Sequence, residues 1–528
     1  MSADMEDAGA SAPAPPPPPS EGFALTDLGQ ELLMRTGTAA EPRPGRRRQC
    51  PLMSSLHALL TARSVGSSGR KPSGCTGAPA FTPNDRVRAL TKFRPNRGMR
   101  LVDATESRGY TCQHSDDGSL LACAFQDRRV RVYETSTWKL VKDVNAHNLR
   151  WTVTDTALTP DSRRLAYASI TPDVHLVELG AHTHVTSQQN LNEVHASISL
   201  SDHGDLGIWS IRFSPCGGLL FAGANDACLH VYDLARDCVA QCVRAHADDV
   251  NSVAVADVSG QLVYTASDDG LLKLWDRRCL GPAPMTAPGS SSRDLATPAG
   301  VLPGHLEGLT HVAARGDGRH CATNSKDQTL KLWDVRKMVS AGDFARMPRV
   351  QRRYHWDYRW MDYPGVNDGA RHPNDCSIMT YRGHRVLETL IRCDFSPERS
   401  TGQRFLYTGS QDGVVYIFDV LTGEAVDRLR FHRAAVRDVS WHPADMSLVS
   451  CSFDGTVAEW SHAHVGGGLT KAYRARADSE GCPCATRRLE QAVSRSDLFP
   501  TAADGGGNGS GMSREAEDEE EEEEEEES

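Results

Sequence analysis

The middle of the chain alternates apolar and polar residues in short runs, which is the pattern of half-buried β-strands. Leu272 and Leu274 belong to one such run, and Leu330 and Leu332 belong to another. Turn sequences such as Ser115-Asp-Asp-Gly118 lie between the runs. The alternation therefore predicts an all-β fold built from many short strands.

The runs belong to an internal repeat in which an aspartate lies six positions before an aromatic residue. The pairs are Asp127 and Tyr133, Asp226 and Tyr232, Asp269 and Trp275, Asp327 and Trp333, Asp412 and Phe418, and Asp454 and Trp460. Each aspartate is placed in the turn between two strand-like runs, a third run precedes them, and a fourth is less regular. Four short strands per repeat are typical of a β-propeller blade.

A histidine opens most units, 22 or 23 residues before the aspartate. These histidines are His203, His246, His305 and His432, whereas His384 precedes Asp412 by 28 residues because of the loop Glu398–Gly402. In WD-repeat propellers the histidine, the aspartate, a Ser or Thr of the second strand and a tryptophan of the third strand form one hydrogen-bonded network. We therefore interpret these histidines and aspartates as structural, not catalytic.

One further unit between residues 148 and 195 has the strand pattern but lacks the aspartate spacing and the aromatic residue. Counting it, the sequence predicts a seven-bladed WD-repeat β-propeller at residues 85–462. Residues 85–107 are expected to supply the outer strand that joins the last blade to the first. Insertions are predicted at residues 280–300 and 336–381.

The two ends of the chain have a different composition. Residues 1–84 are rich in Pro, Ser and Gly, and residues 463–528 end in an acidic tail at 515–527 that carries 12 negative charges, without which the net charge of −11 would be +1. Both ends are expected to be disordered, because they bury too little apolar surface to offset their ordering entropy. The tail is expected to keep the protein in solution, with contact to a basic partner as the alternative.

Two leucine patterns within residues 1–84 have helical spacing. They are Leu25, Leu28, Leu32 and Leu33, and Leu52, Leu56, Leu59 and Leu60. Each pattern predicts either a transient helix or a helix that docks into a groove of a partner.

No cofactor or metal site is expected. The 15 cysteines include no Cys-x-x-Cys pair, and Cys112, Cys123, Cys228 and Cys451 fall in strand-like runs, where buried thiols are the simpler interpretation. The sequence also has no phosphate-binding glycine loop, no His-Glu-x-x-His and no nucleophile elbow, so the chain is not expected to be an enzyme.

Neither a signal peptide nor an apolar run of about 20 residues is present, so no contact with a membrane is expected. The protein is expected in the nucleus and the cytoplasm, with Arg46, Arg47 and Arg48 as a short basic run that could serve nuclear import.

Two adjacent units end in a Trp-Asp-x-Arg motif, formed by Trp275, Asp276 and Arg278 and by Trp333, Asp334 and Arg336. Because the third strand ends on the face opposite the histidine loop, the two arginines are expected side by side on that face. A planar guanidinium there can bind carboxylates or carbonyls of a partner. A third match, Trp356-Asp-Tyr-Arg359, has no strand before it and is not interpreted as the same motif.

Several longer motifs carry a closer likeness. The stretch His355 to Pro364, the run Tyr381 to Arg392 and the stretch Arg150-Trp-Thr-Val-Thr-Asp155 resemble the WD-repeat protein 23 family of cullin-4-associated factors. The resemblance implies a substrate-recognition subunit of a cullin-4 RING ubiquitin ligase. Its propeller would bind the ligase adaptor, the damaged-DNA-binding-protein subunit, through the Trp-Asp-x-Arg motifs.

The likeness is not complete. The first blade ends in Tyr133-Glu134, the last ends in Trp460-Ser461, and the acidic run lies at the C-terminus here but near the N-terminus in animal relatives. The alternative is a non-catalytic WD-repeat scaffold in a chromatin or RNA-processing complex. In either case the partners are proteins, and no direct contact with nucleic acid is expected.

If the adaptor occupies the face with the arginines, the target protein is expected on the other face, around the mouth of the central channel. Six residues at equivalent positions are predicted to line this mouth: Thr154, Trp209, Asn251, Thr310, Ile391 and Arg437. The insertion at 336–381 is the alternative surface for the target.

Overall fold

The fold is taken from a computed structural model of the chain. The structure describes Leu28, Glu31, Leu32, Val87, Leu90, Thr91 and residues 93–179, 195–201, 204–281, 297–348, 356–365 and 370–462. His203, the leucine pattern at residues 52–60 and the acidic tail lie outside the described residues. No helix among the described residues is long and apolar enough to cross a membrane.

Among the described residues, twenty-eight strands form seven four-stranded antiparallel sheets, so the predicted seven-bladed propeller is confirmed. Blade 1 contains β2 (Gly109–His114), β3 (Leu120–Phe125), β4 (Arg129–Glu134) and β5 (Lys139–Asn145). Blade 2 contains β6 (Asp155–Leu158), β7 (Arg164–Ala168), β8 (Asp173–Glu178) and β9 (His195–Ser199). Blade 3 contains β10 (Ile208–Phe213), β11 (Leu219–Ala224), β12 (Cys228–Asp233) and β13 (Cys238–Arg244).

Blade 4 contains β14 (Val250–Val255), β15 (Leu262–Ser267), β16 (Leu272–Asp276) and β17 (Gly300–Leu302). Blade 5 contains β18 (Leu309–Ala314), β19 (His320–Ser325), β20 (Thr329–Asp334) and β21 (Met379–Tyr381). Blade 6 contains β22 (Cys393–Phe395), β23 (Phe405–Thr408), β24 (Val414–Asp419) and β25 (Ala425–Arg430). Blade 7 contains β26 (Val436–Trp441), β27 (Ser447–Ser452) and β28 (Thr456–Ser461), with β1 (Gly98–Ala104) as its outer strand.

The ring closes through β1, as the sequence predicts. Gly98 pairs with Ser461 and Ala104 with Thr456, so the chain segment before blade 1 completes blade 7. The degenerate unit is blade 2, in which Tyr167 and His195 are joined by a 2.8 Å hydrogen bond. This pair provides polar contacts inside a blade that has no turn aspartate.

The six repeated aspartates all occupy the turn that enters the third strand. Each accepts a hydrogen bond from the backbone N–H two residues ahead, at donor–acceptor distances of 2.9 to 3.3 Å. The aspartate side chain thus holds the turn between two antiparallel strands, which is the usual role of this residue type in turns.

The predicted four-residue network is complete in blades 4 and 5. In blade 5, His305 Nδ1 lies 3.0 Å from Asp327, while Thr323 Oγ1 contacts both His305 Nε2 and Trp333 Nε1 at 2.7 Å. His246, Asp269, Thr265 and Trp275 repeat the arrangement in blade 4. In blade 7, His432 contacts Ser450 and Thr456 at 2.7 Å, and Asp454 lies 3.6 Å away.

The expectation for His384 in blade 6 is wrong. Its Nε2 atom contacts Asn324 Oδ1 of blade 5 at 2.8 Å, and the Asp412 carboxylate accepts a hydrogen bond from Tyr416 instead. The side chain of Phe418, unlike a tryptophan indole, has no N–H group that could complete the network. His384 therefore connects blades 5 and 6 and does not take part in a network within blade 6.

The predicted insertions contain elements of the fold. Met379–Tyr381, inside the predicted insertion 336–381, forms the outer strand of blade 5, and Gly300, the last residue of the insertion 280–300, begins β17. Insertion 336–381 also contains helix α1 (Ala341–Arg346), and helix α2 (Glu398–Thr401) lies between β22 and β23.

Leu28 and Leu32 depart from the expectation that residues 1–84 lack stable structure. Both are helical and buried, and they pack with side chains of blades 5 and 6 such as Leu332 and Phe395. Glu31 forms an ion pair with Arg315 at 3.1 Å. The groove that receives this leucine face belongs to the chain's own propeller.

A buried ionic network joins four blades around the channel. Asp155 of blade 2 pairs with Arg212 of blade 3 at 2.8 Å and with Arg392 of blade 6 at 2.7 Å. Arg392 also contacts Asp438 of blade 7 at 3.1 Å. Burial would raise the pKa of Asp155, but the two guanidinium groups lower it to about 2.

We expect Asp155→Asn to lower the free energy of unfolding by about 3–5 kcal/mol at neutral pH, because it leaves buried guanidinium charge without its partner. A carboxylate with a depressed pKa stabilises the fold above its unfolded pKa of about 3.9 and loses this contribution as the pH falls. In chemical denaturation the difference in the free energy of unfolding between wild type and variant should therefore disappear between about pH 4 and pH 2. Asp161→Asn, at an exposed aspartate of the same blade, is the control and should change stability little; an equal loss from both variants would contradict the prediction.

Candidate protein-binding surfaces

The propeller has two faces with different chemistry. We call the face where the third strands end at Asp276 and Asp334 the arginine face, and the opposite face, where the first strands begin, the cavity face. Blades 4 and 5 are neighbours in the ring, so their third strands end next to each other on the arginine face.

Each Trp-Asp-x-Arg motif ends its strand in the same tight turn. Asp276 accepts a hydrogen bond from the backbone N–H of Arg278 at 3.0 Å, and the guanidinium returns to the same carboxylate at 2.6 and 2.9 Å. Asp334 holds Arg336 in the same way, with distances of 3.0 Å to the backbone nitrogen and 2.9 Å to the guanidinium. The arginine side chains are 68% and 55% exposed, so the turn presents two fixed guanidinium groups to a partner.

Trp275 and Trp333 do not reach this surface. Both indole rings are buried, and each donates its N–H to the threonine of its own blade network. Their predicted role in binding the adaptor is therefore corrected: they fix the strand ends that carry Asp276 and Asp334, and they cannot themselves contact a partner.

A chain of ionic contacts joins the second motif to the N-terminal segment. Arg315, which pairs with Glu31, also pairs with Asp317 at 2.8 Å, and Asp317 accepts the backbone N–H of Arg319 at 2.8 Å. The Arg319 guanidinium contacts Asp334 at 3.0 Å. Glu31 thus lies on the same side of blade 5 as the second motif.

The cavity face opens into a cavity of about 1200 Å³ at the mouth of the channel. Its wall is formed by the loops before the first strands, by turns between second and third strands, and by residues 356–361 of the long insertion. The backbone carbonyl of Tyr358 accepts a hydrogen bond from Glu388, and the Lys326 ammonium lies 4.0 Å from the Tyr358 ring. These contacts fix the insertion at the mouth.

Apolar side chains are concentrated at this mouth. Trp360, Met361 and Trp151 line the cavity and are 82%, 53% and 54% exposed. They are three of the five exposed large hydrophobic side chains among the described residues; Val258 and Met338 lie elsewhere. Exposed apolar side chains gathered in one cavity are typical of a surface that binds a partner.

The third Trp-Asp-x-Arg sequence lies on this face. Asp357 accepts the backbone N–H of Arg359 at 3.0 Å and binds its guanidinium at 2.6 Å, which reproduces the turn of the two strand-end motifs. Its interpretation as something other than an adaptor motif agrees with its position on the opposite face.

The six residues predicted to bind the target do not all border the cavity. Thr154, Trp209, Asn251 and Arg437 border the cavity, whereas Thr310 and Ile391 do not. All except Trp209 are buried.

Their polar groups connect neighbouring blades. Thr154 donates to the carbonyl of Ile208 at 2.6 Å, Asn251 to that of Leu309 at 2.8 Å, and Thr310 to that of Ile391 at 2.9 Å. Arg437 in turn donates to the carbonyl of Tyr110, across the junction between blades 7 and 1. Equivalent positions therefore recur because each one bonds to the next blade.

Trp209 is the exception, because its half-buried ring borders the cavity and its N–H donates to Asp249 at 3.1 Å. Burial and the nearby carboxylates of Asp268 and Asp248 raise the pKa of Asp249 to about 6. The charge of the mouth therefore becomes less negative under mildly acidic conditions.

Comparison with known proteins agrees with this architecture. The WD domain, G-beta repeat family model matches residues 196–233, 237–276, 296–334, 375–419 and 423–461. Each match begins near the outer strand of one blade and ends near the third strand of the next, and the matches leave out blade 1 and the first three strands of blade 2.

The LEC14B homolog of Prunus armeniaca is 45% identical over 421 residues, which cover 79% of this chain and 83% of the relative. The LEC14B protein of Lithospermum erythrorhizon is 44% identical over 410 residues, or 76% of this chain and 81% of the relative. The DDB1- and CUL4-associated factor 11 homolog of Caenorhabditis elegans is 34% identical over 397 residues, or 73% of this chain and 66% of the relative. The chain belongs to the same family as these relatives, the WD-repeat protein 23 family. The predicted resemblance is confirmed.

Proposed function

We propose that this chain is the substrate-recognition subunit of a cullin-4 RING ubiquitin ligase. The observation that carries the proposal is the pair of exposed, carboxylate-held arginines on adjacent blades, in a family that includes DDB1- and CUL4-associated factor 11 homologs. In this role the arginine face binds the ligase adaptor, and through the adaptor the chain joins cullin-4. The scaffold alternative has less support, because two relatives that match over most of the chain are named DDB1- and CUL4-associated factor 11 homologs.

The turn geometry explains how the arginines act. An interface arginine must lose rotamer freedom on binding, and this loss weakens the complex. Here Asp276 already holds the Arg278 guanidinium in place, and the bidentate pair uses only part of its N–H groups. The arginine is therefore prepared to donate to a carbonyl or carboxylate of the adaptor without further ordering.

The target protein binds the cavity face in this proposal. The insertion residues Trp360 and Met361, with Trp151 from the loop before blade 2, offer an apolar contact surface, and Arg359 and Asp249 offer charges of both signs beside it. An extended peptide with an apolar anchor residue fits this composition. Adaptor and target then occupy opposite faces and do not compete.

The chain contributes no catalytic step in this proposal. Its repeated His–Asp pairs in blades 4 and 5 are engaged in the blade networks, where threonine and tryptophan complete their hydrogen bonds. Transfer of ubiquitin belongs to the other subunits, and the chain works in the nucleus and the cytoplasm.

We expect the double variant Arg278→Ala with Arg336→Ala to weaken binding to the purified ligase adaptor by about a hundredfold or more, because interface arginines are frequent hot spots. Arg359→Ala is the matched control, since it removes an arginine from the same local turn on the other face. Binding constants from surface plasmon resonance, with circular dichroism to verify folding, test the prediction. A folded double variant that binds the adaptor like wild type would overturn it.

We expect Trp360→Ala with Met361→Ala to abolish target ubiquitination while adaptor affinity stays at the wild-type level. The control Val258→Ala removes an equally exposed apolar side chain outside the cavity. The measurement is ubiquitin-remnant mass spectrometry in cells that express each variant in place of wild type. Substitution of Arg437 is unsuitable here, because its guanidinium bonds to the interior carbonyl of Tyr110. Unchanged ubiquitination of the wild-type targets by the Trp360/Met361 double variant would place the recognition surface elsewhere.

A further inference from the structure

Blade 3 lacks residues needed for the His–Asp–Thr–Trp network that stabilises blades 4 and 5. At the position of the network threonine it has Ala222, and at the position of the tryptophan it has Tyr232. Its turn aspartate, Asp226, contacts His230 Nε2 at 3.1 Å. Blades 1 and 6 satisfy their turn aspartates in the same way, with a side chain four residues further along. Blade 3 differs from these two in having two cysteines beside the side chain that contacts its turn aspartate.

Two cysteines share the side of the sheet on which His230 lies. Cys228 and His230 are two residues apart on β12, and Cys242 on β13 pairs directly with His230. Alternation along a strand puts residues i and i+2 on one face, and directly opposed residues share that face. One ligand atom from each of the three side chains lies within 4.8 Å of the others.

The imidazole is oriented like that of a metal-binding histidine. Its Nε2 atom faces the Asp226 carboxylate, while Nδ1 is buried, has no nitrogen or oxygen partner among the described residues, and has the Cys242 thiol as its polar neighbour. A metal-bound histidine characteristically donates its other ring N–H to a carboxylate, which fixes the tautomer and leaves the second nitrogen as the ligand. A buried nitrogen without a partner is costly, and a cation would satisfy it.

We propose that Cys228, His230 and Cys242 bind a zinc ion, with Asp226 as the positioning residue behind the histidine. Two thiolates and one imidazole form a soft ligand set that suits Zn²⁺, and a water molecule or a further side chain takes the fourth tetrahedral position. Zinc–sulfur bonds of about 2.3 Å place two sulfur atoms about 3.8 Å apart, so small side-chain rotations bring the cluster to bonding distance.

The surroundings favour a metal over a disulfide. Cys228 pairs in register with Arg244, not with Cys242, so the two sulfur atoms belong to diagonal positions of the strand pair. Cys242 is half-buried, which gives an ion a route from solvent.

Such a site would stabilise blade 3 in the way that the His–Asp–Thr–Trp network stabilises blades 4 and 5. The ion would connect β12 to the outer strand β13 and, through His230, to the turn aspartate. Metal coordination would then replace the hydrogen bonds that threonine and tryptophan make in blades 4 and 5. The inference does not depend on the proposed ligase function.

The test compares full-length wild type with Cys242→Ser, His230→Gln and Asp226→Asn. Cys238→Ser is the matched control, because it removes an exposed thiol from the same strand outside the cluster. We expect wild type and Cys238→Ser to retain one more zinc ion per chain than Cys242→Ser and His230→Gln, measured by plasma mass spectrometry after dialysis. Cobalt added in place of zinc should give the absorption of a tetrahedral thiolate site only in wild type and Cys238→Ser.

Asp226→Asn keeps the oxygen that caps the turn but weakens the carboxylate contact to His230, so its zinc affinity should fall by about 10- to 100-fold in competition with a chromophoric chelator. This variant keeps the test decisive if the ligand variants fail to fold. Equal zinc content and equal cobalt spectra in wild type and Cys242→Ser would overturn the proposal. So would an Asp226→Asn variant with wild-type affinity, or a Cys228–Cys242 disulfide found by peptide mapping under non-reducing conditions.

Discussion

The pairing of β1 with β28 is the contact on which the rest of the molecule depends. Each blade packs against its two neighbours: β2 of the first blade packs against β26 and β27 of the last, and Gly98–Ala104, which precedes the first blade, forms the outer strand of blade 7. A closed ring protects its strand edges and encloses a channel, and it gives the molecule two separate faces. The buried network of Asp155, Arg392 and Asp438 then holds distant blades at fixed positions around that channel.

The two Trp-Asp-x-Arg motifs lie in the two blades with complete His–Asp–Thr–Trp networks. The tryptophan belongs to both features, because its indole N–H binds the network threonine while the next residue begins the arginine turn. A well-fixed strand end gives a well-fixed guanidinium. The same internal contacts that stabilise blades 4 and 5 thereby set the geometry of the arginine face.

Local periodicity was enough to predict the blades but not the surfaces between them. The aspartate spacing predicts the turns because the aspartate bonds to a residue two positions away, and β1 follows from the need to close the ring. Contacts across long stretches of sequence leave no such pattern: residues 356–361 reach the cavity face from within the insertion, and Leu28 packs on blades 5 and 6. Equivalent positions in the repeat did not indicate a shared binding surface. Thr154, Asn251 and Thr310 recur because each donates a hydrogen bond to the next blade. The Cys228, His230 and Cys242 cluster has no signature in the sequence, because its residues come from two paired strands.

The central claim is that adaptor and target use opposite faces of one closed ring. Hydrogen exchange of the full-length chain, measured alone and with the purified ligase adaptor, tests this most directly, because it reports each loop of both faces in one experiment. The account predicts that protection rises at the turns after Asp276 and Asp334 and stays unchanged at residues 356–361 and at the loop containing Trp151. Protection of the cavity-face loops, with the Asp276 and Asp334 turns unaffected, would contradict it.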